Sequence, residues 1–338
     1  MKRIDIHTHL AGNGQDGSGC QLSPRMTRSL GYQLLRHAPG PADFASDRRF
    51  AERLLQYAQT AQEVDYVCVL ALDGVYDNQG KLLPDKSHMV VPNAYVVEVC
   101  KRSSRLLPVI SINPQRQDAI SELERWGPEA VALKWLPPLQ HFNPAASQYA
   151  DFRLRLKELA LPVICHSGTE HTFPGARQKL GDPRLCEPLL QLGIPVIFAH
   201  CGTCTFFQPG ADFVPAFLQL LDKYDHAFGD TAGFCTPVRA GQLRRLAIER
   251  YVGRILHGSD YPVPISAIWF WHKLGPRRVH RLECQTNPLD KDALIKQALG
   301  LPEATFTAAF SLLEPRIRSI KIMDTRGSSC NFQEQELG

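Results

Sequence analysis

The sequence predicts an α/β fold, a TIM-type (β/α)8 barrel with extended loops after strands 1 and 8, on three observations. Eight short apolar runs bounded by turn residues alternate along the chain with segments of helical periodicity, and continuous apolar runs mark strands buried on both faces of a parallel sheet. From the third run onward the starts, at 106, 130, 162, 195, 226 and 255, are 24, 32, 33, 31 and 29 residues apart, close to the roughly 30 that a strand, a helix and two short loops consume. The length of 338 residues suits one such barrel, although it is long for an ordinary domain.

The first predicted strand, residues 3–9, leads into a loop over 10–47 that is rich in Gly and Pro and opens with Gly12, Gly14, Gly17 and Gly19. Predicted helices at 50–63, 93–102, 118–126, 149–159, 183–192, 214–223 and 238–251 then separate strands at 65–72, 106–113, 130–136, 162–167, 195–201, 226–231 and 255–258. In the last of these helices Leu243, Leu246 and Ala247 recur at helical spacing and leave Arg244, Arg245 and Glu249 on a wetter face. Strictly alternating β and α elements imply a parallel sheet, and eight repeats close it. Tyr261 opens a second long connection, which contains the aromatic triplet Trp269-Phe270-Trp271, read as helix packing. Long loops at a barrel's carboxyl end build the substrate site. The barrel is assigned to residues 1–313 and a C-terminal tail to 314–338, with disorder expected from Gly327 onward.

Composition narrows the function. The chain is 44% hydrophobic and 21% charged, with a formal charge of +4 and scattered basic residues. The expected partner is therefore a small-molecule substrate, with no nucleic acid. Apolar stretches reach only about six residues against the roughly 20 that span a bilayer, so no membrane partner is expected either. Asp5 and two histidines stand where a signal peptide would be apolar, which makes a cytoplasmic location the expectation. A homodimer is left open. Ten cysteines, several inside apolar runs, read as free thiols. Cys201-Gly-Thr-Cys204 is an isolated CxxC with no second pair at zinc-ribbon spacing.

The chemistry collects where strands end. His7 and His9 close the first strand, and two residues apart on a strand they share a face. Lys134 lies near the end of the fourth, His166 and His200 end the fifth and sixth, and Asp260 follows the eighth. In this fold those positions form the mouth of the active site. Imidazole is the commonest metal ligand and a carboxylate adds neutralising charge. Clustering such groups at one end is costly unless they are paired or bind metal. Asp5, two residues before His7, would sit deeper on the same inward face and orient a ligand, or make a buried structural hydrogen bond. Glu170 and His171 follow His166 within reach of a substrate. The other histidines (His37, His88, His141, His226, His257, His272, His280) belong to no motif and read as surface or packing residues.

The motifs Asp-Ile-His-Thr-His (5–9), Leu-Lys-Trp-Leu-Pro (133–137), Cys-His-Ser-Gly-Thr-Glu (165–170), Ala-His-Cys-Gly (199–202) and Gly-Ser-Asp-Tyr-Pro (258–262) together resemble the amidohydrolase superfamily of metal-dependent barrels. The resemblance is to its branch of hydrolases and decarboxylases. It implies that His7, His9 and Asp260 hold one divalent ion and His166 and His200 a second, with Lys134 bridging them as a carbamate. In the competing one-ion arrangement His7, His9, His166 and Asp260 bind the metal. His200 then acts as a general acid or base, and Lys134 stays cationic for a substrate carboxylate. Zinc is the first expectation, although manganese, iron and cobalt suit the same ligands. The expected reaction is hydrolysis of an amide, lactone or ester of a small molecule by metal-activated water. Asp260 and His200 would be catalytic, with Glu170 and Lys134 near the substrate. The alternatives are a metal-dependent non-oxidative decarboxylase of an aromatic or unsaturated acid and, in a different class, a metal-binding barrel without activity.

Overall fold

The computed structural model describes residues 1–37, 46–205, 212–246 and 248–330, without the side chains of 34, 37 and 321–330. Eight strands make one sheet in chain order: β1 (Ile4–His9), β2 (Tyr66–Leu70), β3 (Leu106–Ile110), β4 (Ala132–Trp135), β5 (Val163–His166), β6 (Val196–Ala199), β7 (Ala227–Asp230) and β8 (Ile255–Leu256). Every neighbouring pair is parallel. The last edge meets the first through Ile6 N to His257 O (3.0 Å), Asp260 N to His7 O (2.9 Å) and His9 N to Tyr261 O (2.8 Å). The chain after β8 thereby completes the barrel, and each strand lies within an apolar run of the sequence.

Side-chain alternation divides the core. Ile4, Ile6, Cys68, Leu70, Val109, Ile164, Ile197 and Leu256 fill the interior. Their odd-phase neighbours, such as Leu133, Trp135 and Phe198, face outward onto the helical layer with Phe152 and Phe217. In β4 this places Ala132 and Lys134 inside and packs Trp135 edge-on to Phe142, 5.1 Å between centroids.

Helices Asp47–Thr60, Asn93–Lys101, Ala119–Trp126, Ala150–Glu158 and Val214–Lys223 occupy their predicted places. Two expectations are revised. The segment predicted as a helix over 183–192 is a 3₁₀ turn, Pro183–Cys186, followed by a short helix, Glu187–Gln191; Pro188 lacks the N–H that would continue one helix through it. The segment at 238–251 forms 3₁₀ turns over Ala240–Leu246, with Gly241 in its first turn weakening an α-helix there; residue 247 lies outside the described residues.

The loop 10–47 is ordered where it is described. Asp47 accepts from the backbone N–H of Asn13 (2.6 Å) and Gly14 (2.9 Å) and from the Ser18 hydroxyl, and Gln21–Leu22 pairs antiparallel with Met89–Val90. Residues 38–45 of this loop lie outside the described residues. The tail expected from residue 314 is corrected: helix Glu303–Cys330 runs through that position, and Leu313 and Ile317 join the interior cluster. Of the stretch expected to be disordered, 327–330 continue this helix and 331–338 lie outside the described residues. The described cysteines are free thiols, and Cys201 donates to Asp230 O (3.1 Å) rather than meeting Cys204.

Candidate metal centre

β1 brings two imidazoles to the rim by breaking its own alternation. Asp5 pairs with Val67 and Thr8 with Val69, so three steps on β1 answer two on β2. This is a β-bulge, which inserts one residue and re-aims the side chains after it. Asp5 therefore shares the outer face with Val67, which packs with Phe50 and Leu54. The expectation that Asp5 lies deeper on the inward face of His7 is corrected accordingly. Its carboxylate accepts from the backbone N–H of His7 (3.1 Å) and Ser259 (2.9 Å), tying together the two segments that carry His7 and Asp260.

At the rim His9 Nε2 stands 3.2 Å from both His7 Nε2 and Asp260 Oδ1, and His7 Nε2 is 3.6 Å from Asp260 Oδ1. His7, His200 and Asp260 each offer a ligand atom within 4.8 Å of one another. Lys134 Nζ reaches to 3.3 Å from His7 Nε2. The ring of His200 lies 5.2 Å from that of His7 and 4.9 Å from that of His166. His7, His9, Lys134, His166, His200, Asp260 and Glu170 all line one cavity. Glu170 Oε1 accepts from Thr172 N (2.6 Å), and its Oε2 is 4.0 Å from His166 Nδ1. His171 does not line the cavity and lies by the Gln178 amide instead (3.5 Å).

Two polar residues of the site have no counterpart in the sequence reading. Asp230, fully buried at the end of β7, accepts from His7 Nδ1 (2.7 Å) and from the backbone N–H of His200 (2.8 Å). A carboxylate only accepts, so His7 carries its proton on Nδ1 and turns the Nε2 lone pair to the centre. His200 does the same through Nδ1 to Ala232 O (2.9 Å). Strand parity is the cue for Asp230, which lies two residues beyond inward-facing Phe228 just as His166 lies two beyond Ile164. Arg239 sits on a loop where no period operates. Its guanidinium donates to Thr203 O and Oγ1 (2.9 and 2.6 Å) and to Thr169 O (3.1 Å) and lines the cavity.

Electrostatics keeps the candidate ligands in the forms a metal ion would bind. Burial, then the nearby Lys134, lowers His7 to about 4. Burial, with Lys134 and Arg239 adding, holds His166 and His200 well below the usual imidazole value. Burial also depresses Lys134. For Asp260 burial pushes upward, but the hydrogen bond from His9 and the charges of His7 and Arg239 keep it below the ordinary carboxylate value.

These residues fit a divalent ion. Buried His166 Nε2 has no hydrogen-bond partner, an orphan that is costly unless something binds it. A Cβ at Gly258 would come 2.9 Å from His7 Cβ, and one at Gly233 2.9 Å from Asp260 Oδ2, so the backbone is trimmed around both side chains. Asp260 (φ 67°) and His200 (φ 62°) adopt the left-handed region. Side chains there cost about 1 kcal/mol or more and tend to mark functional positions.

A family model described as amidohydrolase matches residues 4–293. The chain matches no curated protein. Among solved structures, an uncharacterised TIM-barrel protein from Bordetella bronchiseptica shares 13% identity at a TM-score of 0.60, covering 95% of this chain and 99% of the other. A probable 2-pyrone-4,6-dicarboxylic acid hydrolase from Acinetobacter baumannii, with citric acid bound, shares 13% identity at 0.56, covering 93% and 100%. A protein assigned to the same hydrolase class in Pseudomonas putida shares 15% at 0.53, covering 93% and 97%. These likenesses concern the barrel.

Proposed function

The chain belongs to the amidohydrolase family, and from that premise we propose that it is a metal-dependent hydrolase of an amide, lactone or ester bond in a small molecule. One observation carries this reading: Lys134 is a fully enclosed amine on the inner wall, 3.3 Å from His7 and with its basicity lowered by burial. A neutral amine is the form that captures carbon dioxide, and an anionic bridge suits two cations better than an ammonium does. In this reading His7, His9 and Asp260 hold one ion, His166 and His200 hold the other, and zinc is the ion proposed. Such an ion would supply Lewis acidity and lower the pKa of water. The chain's own groups do the rest. Asp260, kept ionised, takes a proton from water and returns it to the leaving nitrogen or oxygen. Glu170 and the apolar walls formed by Leu22, Met26, Phe173 and Val263 shape the substrate's seat. A cytoplasmic setting belongs to the same proposal.

A second reading is favoured by Arg239. Among the described residues this buried cation forms no ion pair, its donors going to carbonyl and hydroxyl oxygens, so it is ready for a substrate carboxylate. A decarboxylase would use that contact to orient an aromatic or unsaturated acid. Metal content per chain, mass analysis of Lys134 and carbon dioxide release from a panel of acids and lactones separate the two. Two ions, a carbamate and ring opening without gas support hydrolysis. One ion, a free amine and gas release overturn it.

A further inference from the structure

Between Asp260 and Glu283 the chain carries no acidic residue and four fixed cations, Lys273, Arg277, Arg278 and Arg281. The whole chain has a formal charge of only +4, so this one segment holds as much excess positive charge as the entire protein. It starts at the cavity mouth, where Pro262 and Val263 line the wall. It folds as a 3₁₀ turn, Ala267–Phe270, then the helices Trp271–Leu274 and Pro276–Glu283. Ala267, Phe270, Leu274 and Leu282 pack inward with Ile295. The aromatic triplet, read from the sequence as helix packing, packs inward only through Phe270. Trp269 (41% exposed), Trp271 (64%) and their neighbour Ile268 (51%) face solvent, as do all four cations. Glu283, the first acid in reach, is already engaged by Ser266 and Lys291. Among the described residues none of the four cations is ion-paired.

We propose that this segment is a docking surface for an anionic lipid bilayer. Tryptophan combines a large apolar body with one polar N–H and partitions to the membrane–water boundary. Lysine and arginine beside it meet anionic headgroups. Exposed Ile268 gains only from a partner with a hydrocarbon layer, which a nucleic acid phosphate backbone does not offer. A second copy is disfavoured by charge, because a two-fold contact through this patch would set four cations against the same four. The expectation of no membrane partner rested on the lack of a spanning run. No helix among the described residues is long and apolar enough to cross a membrane, and surface docking needs none. The patch adjoins the mouth of a mostly apolar cavity, so a docked molecule would take up substrate at the bilayer. This inference is independent of which reaction the site performs.

The test is co-sedimentation of the full-length, metal-loaded protein with vesicles of phosphatidylcholine alone or with phosphatidylglycerol added. The protein is expected to pellet with the anionic vesicles at low salt, with a blue-shifted tryptophan emission, and to be released by high salt. At about fivefold per charge, R277Q with R278Q should weaken partitioning on the order of 25-fold. W269S with W271S should remove the emission shift without changing the circular dichroism. A wild-type protein that stays in the supernatant overturns the proposal, as does binding that these variants leave intact. Single-stranded RNA that strips the protein from vesicles through the same arginines would reassign the patch and overturn it equally.

Discussion

Because Asp230 holds both the ring of His7 and the backbone of His200, its loss should loosen two imidazoles at once. Asp230→Asn keeps the size but removes the charge that fixes the His7 tautomer, and such a change behind a metal ligand lowers affinity about 10–100-fold. Competition with a chelator measures this, and an unchanged affinity would reduce Asp230 to packing. Asp5 makes the opposite kind of prediction. Burial raises its carboxyl to about 7, above the roughly 3.9 of an unfolded chain. Between those values the folded state binds more protons, so Asp5 contributes stability at low pH that is lost as pH rises through about 7. Asp5→Asn retains an oxygen for His7 N and Ser259 N and cannot ionise. Its stability relative to wild type should therefore climb between pH ~4 and ~7, by up to about 1.4 kcal/mol per unit, and level off above. Urea titrations across pH read this directly, and a pH-independent difference would refute the raised value. The depressed histidines lose stability as pH falls below about 6.5, but they do so in both proteins and cancel.

β8 is only two residues long, and the turn after it is held from behind by helix Pro288–Ala298. Lys296, with no exposed surface, donates to Gly258 O (2.7 Å) and pairs with equally buried Asp292. A buried pair contributes little over an apolar one, but breaking it strands a charge at a cost of about 3–5 kcal/mol. Lys296→Met should lower the urea midpoint accordingly, and adding Asp292→Leu should restore much of the loss. A double variant no better than the single would show that contact with Gly258, and not the stranded carboxylate, is what matters. Elements of this kind differ in how openly the sequence states them. The eight strands are legible because strands buried on both faces must be apolar throughout, and the residues gathered at the rim because they stand at or just beyond the ends of such runs. The bulge in β1 is not, since it exists only against the register of β2, and it is what moved Asp5 outward. The turns at 240–246 were hidden by three apolar residues at helical spacing, a pattern that reports burial and not hydrogen-bond type.

The molecule separates its chemistry from its support by placing them at opposite ends of the barrel. The candidate ligands crowd the carboxyl ends of the strands, while the C-terminal helix seals the amino ends, where Leu313 and Ile317 meet the interior. Arg316 donates to the carbonyls of Ala130 (2.8 Å), Leu159 (3.3 Å) and Gly127, which lie just ahead of β4 and β5. Pro315 disguised this as a tail, because a proline inside a helix removes one hydrogen bond and usually ends the pattern; here the helix continues on packing below it. In barrels of this kind the amino-end face governs stability and the carboxyl-end face governs reaction. Arg316→Ala takes the donor from the carbonyls of Ala130 and Leu159, at about 1–3 kcal/mol each where water cannot replace it, while Gly127 O keeps the N–H of Ala130. Ile317→Ala should cost about 2–5 kcal/mol. Both variants should melt several degrees lower in calorimetry yet bind metal with wild-type affinity under conditions where they remain folded. If metal affinity weakened in step with melting temperature, the two ends would be coupled through the interior plug, and the division of labour described here would be wrong.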